Sequence, residues 1–121
     1  MSTILVVEDN RTYQEMISEL LKENGMDVVT ASDGIEAMEK VKTVIPDLVV
    51  LDVVMPRMNG YEVCRELKGD PRTQSVLIVM CSTKDQEFDR HWANKQGADA
   101  YVTKPFRPQE LVATIKQLLR R

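Results

Sequence analysis

Residues Pro46–Gly60 read PDLVVLDVVMPRMNG, and this stretch decides what fold we expect. Its apolar run, Leu48–Leu51, is short, which is typical of a strand buried on both faces of a parallel sheet. The run ends in one carboxylate, Asp52, and such sheets collect functional residues at the carboxyl ends of their strands. Asn59-Gly60 then predicts a turn before a helix. Taken alone, the pattern fits equally well an aspartate that only caps this turn.

Strand-like and helix-like segments alternate five times along the chain. The predicted strands are Thr3–Val7, Met26–Ala31, Leu48–Leu51, Val76–Cys81 and Ala100–Thr103. Apolar residues at helical spacing follow each of them. The second helix is predicted to open at Ser32-Asp33-Gly34, to carry Val44 and Ile45 in its apolar stripe and to end at Pro46. This alternation predicts an α/β fold, a doubly wound parallel sheet with helices on both faces.

Length and charge limit the possible functions. The 121 residues fit one domain, 1–121, with no room for a second output module. The formal charge of −3, with acids and bases interspersed, disfavours a nucleic-acid surface. No apolar run is long enough to span a membrane, and no signal peptide precedes the first strand, so we expect a cytoplasmic protein. Cys64 and Cys81 lack metal-type spacing and are expected to be buried thiols.

Polar residues follow the predicted strands at the edge where chemistry is expected. They are Glu8, Asp9, Asp52, Ser82, Thr83, Thr103 and Lys104. Three carboxylates placed together repel one another unless a cation joins them, and hard oxygen ligands suit Mg²⁺. A lysine and a hydroxyl beside the carboxylates suit the oxygens of a phosphoryl group. The pattern therefore predicts that Asp52 attacks phosphorus and forms an aspartyl phosphate.

These motifs, in this order, resemble the receiver domain of bacterial two-component response regulators over essentially the whole chain. The matching pieces are the acidic pair Glu8-Asp9, the phosphoacceptor motif from Asp52 to Gly60, the hydroxyl of Ser82, the aromatic Tyr101 and the motif Lys104-Pro105-Phe106. The resemblance implies a flavodoxin-like (βα)5 fold with strand order 2-1-3-4-5. It also implies a histidine kinase or a phosphotransfer protein as phosphodonor.

The resemblance further implies roles for individual residues. Asp9 and Asp52 would bind Mg²⁺ together with the backbone carbonyl of Val54, and Glu8 would act mainly through water. The phosphoryl group and the switch would involve Ser82, Thr83, Tyr101 and Lys104. The peptide bond between Lys104 and Pro105 is a candidate for the cis form.

The chain departs from the family pattern at a few positions beside the expected site. Glu8 replaces the commoner aspartate, and Thr83 stands where alanine is frequent. Val54 is apolar and cannot orient a water molecule by hydrogen bonding, which bears on the lifetime of the phosphorylated state. The stretch from Ser82 to Glu87, with Trp92 and Gln96-Gly97-Ala98, is similar to stand-alone regulators of type IV pilus twitching motility and of chemotaxis-like systems.

The expected output is protein binding by a monomer or weak dimer, through the face formed by the fourth helix, fifth strand and fifth helix. The residues assigned to this face are Trp92, Tyr101 and Phe106. The fourth helix has a thin apolar stripe. Trp92 could therefore pack against the sheet, or lie partly exposed beside Tyr101 as an anchor for a partner.

Two other functions compete with a signalling module. A Mg²⁺-dependent phosphatase with an aspartyl intermediate usually has a second acid two residues after the nucleophile, where this chain has Val54. A flavin- or nucleotide-binding protein of the same topology requires a phosphate-binding loop after the first strand. That loop here reads Glu8-Asp9-Asn10, which repels phosphate in the absence of a metal. We therefore expect a switch and no turnover enzyme.

Overall fold

The computed structural model describes residues 2–120 and contains five strands and five helices in alternation. The strands are β1 (Thr3–Val7), β2 (Asp27–Ala31), β3 (Leu48–Leu51), β4 (Leu77–Ser82) and β5 (Ala100–Thr103). The helices are α1 (Arg11–Glu23), α2 (Gly34–Lys40), α3 (Gly60–Gly69), α4 (Glu87–Lys95) and α5 (Pro108–Leu119). The predicted strands and helices are all present, although several boundaries differ by one or two residues.

All strands pair in parallel, in the order β2-β1-β3-β4-β5. The predicted fold class and strand order are thus confirmed. β3 lies at the centre, and its four residues are at most 2% exposed. Burial on both faces explains why it reads as a continuous apolar run.

The sheet separates two apolar cores, one on each face. Val49 and Leu51 of β3 face the core beneath α2, α3 and α4, and Leu48 and Val50 face the core beneath α1 and α5. Cys64 and Cys81 are both buried free thiols, as expected. Within residues 2–120, no helix combines the length and apolar character needed to cross a membrane.

The predicted extent of α2 was wrong. The helix ends at Lys40, and Val44 and Ile45, which were assigned to its apolar stripe, are 45% and 48% exposed. β-branched residues have low helix propensity, and the residue before Pro46 is disfavoured in the helical conformation. The chain must also extend to reach the sheet, because the Asp47 N–H donates to the Thr3 carbonyl at 2.9 Å.

Candidate functional site

Backbone hydrogen bonds continue the sheet one residue beyond its strands, and this extension positions the functional side chains. The N–H of Glu8 donates to the Ala31 carbonyl at 3.0 Å, and that of Asp52 donates to the Val7 carbonyl at 3.0 Å. The N–H of Lys104 donates to the Ser82 carbonyl at 2.8 Å. Three residues from three distant segments are therefore held by the hydrogen bonds of the sheet.

Three carboxylates meet at this edge. One oxygen each from Glu8, Asp9 and Asp52 lies within 4.8 Å of the others. Glu8 and Asp52 are only 2% and 7% exposed, whereas Asp9 is exposed to solvent. The predicted acidic cluster is thus brought together in space, with one member open to solvent.

Lys104 supplies the positive charge inside this cluster. Its Nζ lies 2.9 Å from both carboxylate oxygens of Glu8 and 3.6 Å from Oδ2 of Asp52. The same Nζ lies 4.3 Å from the centre of the Tyr13 ring. Only 4% of the Lys104 side chain is exposed, so its partners replace nearly all of its hydration.

Burial controls the protonation of the Glu8 carboxylate. Desolvation raises the pKa of Glu8 to about 7, although the hydrogen bond from Lys104 opposes the shift. For Lys104, desolvation acts to lower the pKa, but the Glu8 hydrogen bond and the Asp52 charge outweigh it and raise the pKa. Lys104 is therefore a permanent cation, and Glu8 is its direct partner.

The loop after β3 is held close to Asp52. The Val54 N–H lies 3.4 Å from Oδ1 of Asp52, while the Val54 side chain is 56% exposed. Gly60 approaches the Asp52 carbonyl so closely that a Cβ atom there would collide with it. Glycine is therefore required for α3 to begin against the end of β3.

Arg57 gives this loop a second attachment. It has a left-handed φ of 68°, which is uncommon for a residue with a side chain. Its guanidinium donates twice to Oδ2 of Asp33, from Nη2 at 2.5 Å and from Nε at 3.2 Å. This ion pair joins the loop to the N-cap of α2.

The predicted hydroxyl and aromatic residues lie at the ends of β4 and β5. Ser82 is fully buried, and its Oγ accepts the Lys84 N–H at 3.3 Å. Thr83 is exposed. The Tyr101 hydroxyl donates to the Lys84 carbonyl at 2.7 Å. Ser82 and Tyr101 thus contact the same residue of the β4–α4 loop, and this gives them a shared point of coupling.

Arg90 of α4 holds the Tyr101 ring from outside. Its guanidinium carbon lies 5.2 Å from the ring centre, Nη2 donates to Oγ1 of Thr103 at 2.6 Å, and Nη1 donates to the Tyr101 carbonyl at 3.4 Å. Burial raises the pKa of Tyr101 to about 12, so its hydroxyl stays a neutral donor.

The three aromatics assigned to the partner face have different neighbours. Trp92 is 40% exposed, as the anchor hypothesis requires, but its ring packs edge-on against Tyr61 of α3 at 6.5 Å. Phe106 packs against Tyr13 of α1 at 6.3 Å. Of the three, Tyr101 lies against α4 through Arg90. The Lys104–Pro105 peptide bond is cis.

Two contacts of this site were missed at the level of sequence. Tyr13 has the spacing of an apolar-stripe residue of α1, and Arg90 flanks the thin apolar stripe of α4. Nothing in their local pattern indicates a cation over an aromatic ring, because each pair joins segments far apart in the chain. An aromatic residue one turn after an acidic pair was the available signal for Tyr13.

The donor set fits Mg²⁺. The cluster offers hard carboxylate oxygens, and Mg²⁺ prefers one or two carboxylates together with water and phosphate oxygens. Since Lys104 engages both oxygens of Glu8, Asp9 and Asp52 remain as the carboxylates free to coordinate.

Comparisons with known proteins agree with this geometry. The family model of the response regulator receiver domain matches residues 4–116. The transcriptional regulatory protein PhoP of Bacillus subtilis is 46% identical over 120 residues, which are 98% of this chain and 48% of PhoP. Protein PilG of Pseudomonas aeruginosa is 37% identical over 113 residues, which are 93% of this chain and 84% of PilG.

The solved structures include a chemotaxis protein with a similar fold. The Vibrio cholerae chemotaxis protein CheY4 superposes with a TM-score of 0.92 at 30% identity, covering 97% of this chain and 98% of CheY4.

The matched relatives concern two expectations, that of a single domain and that of no nucleic-acid partner. The chain spans about half the length of PhoP. PhoP is named a transcriptional regulatory protein, so the expected exclusion of a nucleic-acid partner is not supported.

Proposed function

The chain belongs to the response regulator receiver domain family, and we propose that it is a switch activated by phosphorylation of Asp52. A histidine kinase or a phosphotransfer protein would supply the phosphoryl group. The observation that carries this proposal is the position of Asp52, buried beside the Lys104 ammonium and the Glu8-Asp9 pair.

Asp9, Asp52 and the backbone carbonyl of Val54 would hold Mg²⁺, which when bound neutralises the charge of the phosphoryl oxygens. Glu8 contributes indirectly, because both of its oxygens are engaged by Lys104. Its charge keeps the ammonium beside the site, 3.6 Å from Asp52.

In the proposed transfer, an Oδ atom of Asp52 forms a bond to phosphorus as the bond between phosphorus and the donor breaks. The donor leaves with the electron pair of that bond. Lys104 is close enough to move from Glu8 toward a new phosphoryl oxygen, and the Ser82 hydroxyl would donate to another. Both groups are buried, which strengthens their effect on the developing charge.

The output of the switch would pass through Ser82 and Tyr101. Both contact Lys84, so a Ser82 hydroxyl drawn toward the phosphoryl group would shift the loop to which Tyr101 is bonded. The surface altered in this way would lie on α4, β5 and α5, with protein binding as the output. Thr83, exposed beside this loop, would limit access to the acyl phosphate.

We propose that the protein acts in a motility or chemotaxis-like phosphorelay. The similarity to PilG and to a chemotaxis protein favours this pathway. We also propose that the chain has no turnover activity beyond its own phosphorylation and dephosphorylation, because Val54 provides no second acid beside Asp52. Its location in the cytoplasm and its action without an output domain stay predictions.

The test is covalent labelling with acetyl phosphate and Mg²⁺, followed by intact-protein mass spectrometry. The wild-type chain should gain one phosphoryl group, and Asp52→Asn should gain none, because an amide is not a nucleophile. Asp85→Asn, in the exposed β4–α4 loop, is the matched control and should label like the wild type. Full labelling of Asp52→Asn would overturn the assignment.

A further inference from the structure

We infer that Tyr13 is a positioning residue for the Lys104 ammonium, a role that rests on the proposed function of Lys104 at the phosphoryl site. The face of the Tyr13 ring and the two acidic side chains Glu8 and Asp52 together surround Nζ. The ring would keep the ammonium at the site while its hydrogen-bonding partner changes.

The contact is close and sheltered from water. Nζ lies 4.3 Å from the ring centre, well inside the ~6 Å over which a cation is attracted by an aromatic face. Because 4% of the Lys104 side chain is exposed, water does not compete for the charge. Desolvated contacts of this kind are the strong ones.

Tyr13 is held through its backbone and through its ring. The Tyr13 N–H donates to Oδ1 of Asn10, which caps α1 immediately after the Glu8-Asp9 pair. The Phe106 ring packs against Tyr13 at 6.3 Å with an interplanar angle of 46°. Tyr13 therefore joins the acidic loop to the loop that carries Lys104.

An aromatic face suits a cation that must move. Nζ lies 2.9 Å from Glu8 and 3.6 Å from Asp52, so a small displacement exchanges the nearer carboxylate. The face of a ring attracts the ammonium without requiring one hydrogen-bond direction. It therefore attracts the ammonium in either position. The ring thus stabilises the cation without tying it to Glu8.

A purely structural role for Tyr13 makes different predictions. As a member of the α1 stripe, Tyr13 could be replaced by any apolar side chain of similar size with a change in stability alone. As a positioning residue, it requires an electron-rich ring, so Tyr13→Phe should preserve the function and Tyr13→Leu should not.

The experiment measures the rate of acetyl phosphate labelling of Asp52 together with the NMR shifts of the Lys104 ε-methylene protons. Tyr13→Leu should slow labelling about tenfold, and Tyr13→Phe should stay within about twofold of wild type. The ring-current shift of the methylene protons should persist in Tyr13→Phe and vanish in Tyr13→Leu. Tyr61→Leu, at a half-buried tyrosine on α3, is the control and should change neither readout.

A variant with a fluorinated ring separates the electrostatic effect of the ring from any effect of misfolding. Phenylalanine carrying three ring fluorines at position 13 keeps the shape of phenylalanine but weakens its negative face, so labelling should be slower than in Tyr13→Phe. Equal rates for these two variants, or a wild-type rate in Tyr13→Leu, overturn the positioning role. Absence of labelling in the wild type would instead reject the proposed function, while the ring-current shift would still report whether the contact exists.

Discussion

Within residues 2–120, two cations lie over tyrosine rings, in opposite surroundings. Lys104 and Tyr13 meet inside the acidic cluster, where the Lys104 side chain is 4% exposed. Arg90 and Tyr101 meet on the outer side of β5, where Arg90 is exposed. The first contact is surrounded by fixed charges, and the second borders solvent.

This difference separates contacts that stabilise the fold from a contact that can open to solvent. In the buried cluster, loss of one charge leaves its partner without hydration, which is costly. At the exposed pair, water replaces whatever contact is lost, so the pair opens at little cost. We therefore expect substitutions at the buried cluster to change stability, and substitutions at Arg90 to change conformation.

The substitution that should destabilise the buried cluster most is Lys104→Met. Glu8 and Asp52 would remain buried without a cation, and we expect the free energy of unfolding to fall by about 3–5 kcal/mol. Urea unfolding at pH 8 with EDTA measures this change. The double variant with Glu8→Gln should recover part of the loss, and an unchanged stability in Lys104→Met would mean that the cluster is not electrostatically coupled.

The free energy of unfolding, measured as a function of pH, tests the buried cluster in a second way. Burial raises the pKa of Glu8 from its ordinary 4.5 to about 7, so between these pH values the folded state binds more protons than the unfolded state. The Glu8 contribution to stability should therefore decrease as pH rises through this range, by roughly 2–3 kcal/mol without Mg²⁺. The difference between wild type and Glu8→Gln isolates the cluster, because groups away from it titrate equally in both. A difference that does not vary with pH would contradict the shifted pKa.

Asp52→Asn tests the repulsion among the three carboxylates that Lys104 does not compensate. Removing one carboxylate from the trio should raise the free energy of unfolding by about 1 kcal/mol in EDTA and reduce the stabilisation given by Mg²⁺. Thermal melting with and without Mg²⁺ provides the measurement, with Asp85→Asn as the matched control. Equal Mg²⁺ shifts in Asp52→Asn and wild type would count against the metal site.

The exposed pair should give the smallest change in stability. Arg90→Gln removes the guanidinium from the Tyr101 ring and from Thr103, and we expect a loss below about 1 kcal/mol. The Tyr101 hydroxyl should then lie less often against the Lys84 carbonyl, seen as weaker NOEs between these residues. Arg90→Lys keeps the charge and should have an intermediate effect. Undiminished NOEs in Arg90→Gln would show that Tyr101 needs no support from α4.

Local sequence predicted most of the fold because its signals are strong where burial is complete. The four apolar residues Leu48–Leu51 are correctly predicted as the central strand, since a strand covered on both faces is apolar at every position. The same reasoning failed for Val44 and Ile45. They continue a helical spacing, but the chain has to leave the helix to reach β1 through Asp47.

The candidate site was predictable in its residue types and not in its contacts. Parallel topology requires that Glu8, Asp52 and Lys104 lie at one edge, so the sequence indicates the cluster once the strands are known. Topology does not say that Lys104 engages both oxygens of Glu8, or that the Trp92 ring packs edge-on against Tyr61.

The sequence alone determined the order of strands and helices, the central strand and the acids that follow the strands, because these depend on patterns within a few residues. Tertiary structure decided which charges are neutralised and which rings receive a cation. Lys104 lies 96 residues from Glu8 along the chain and still contacts both of its oxygens at 2.9 Å. Such contacts depend on how the loops at the sheet edge pack, and side-chain packing between distant segments leaves no periodic trace in a sequence.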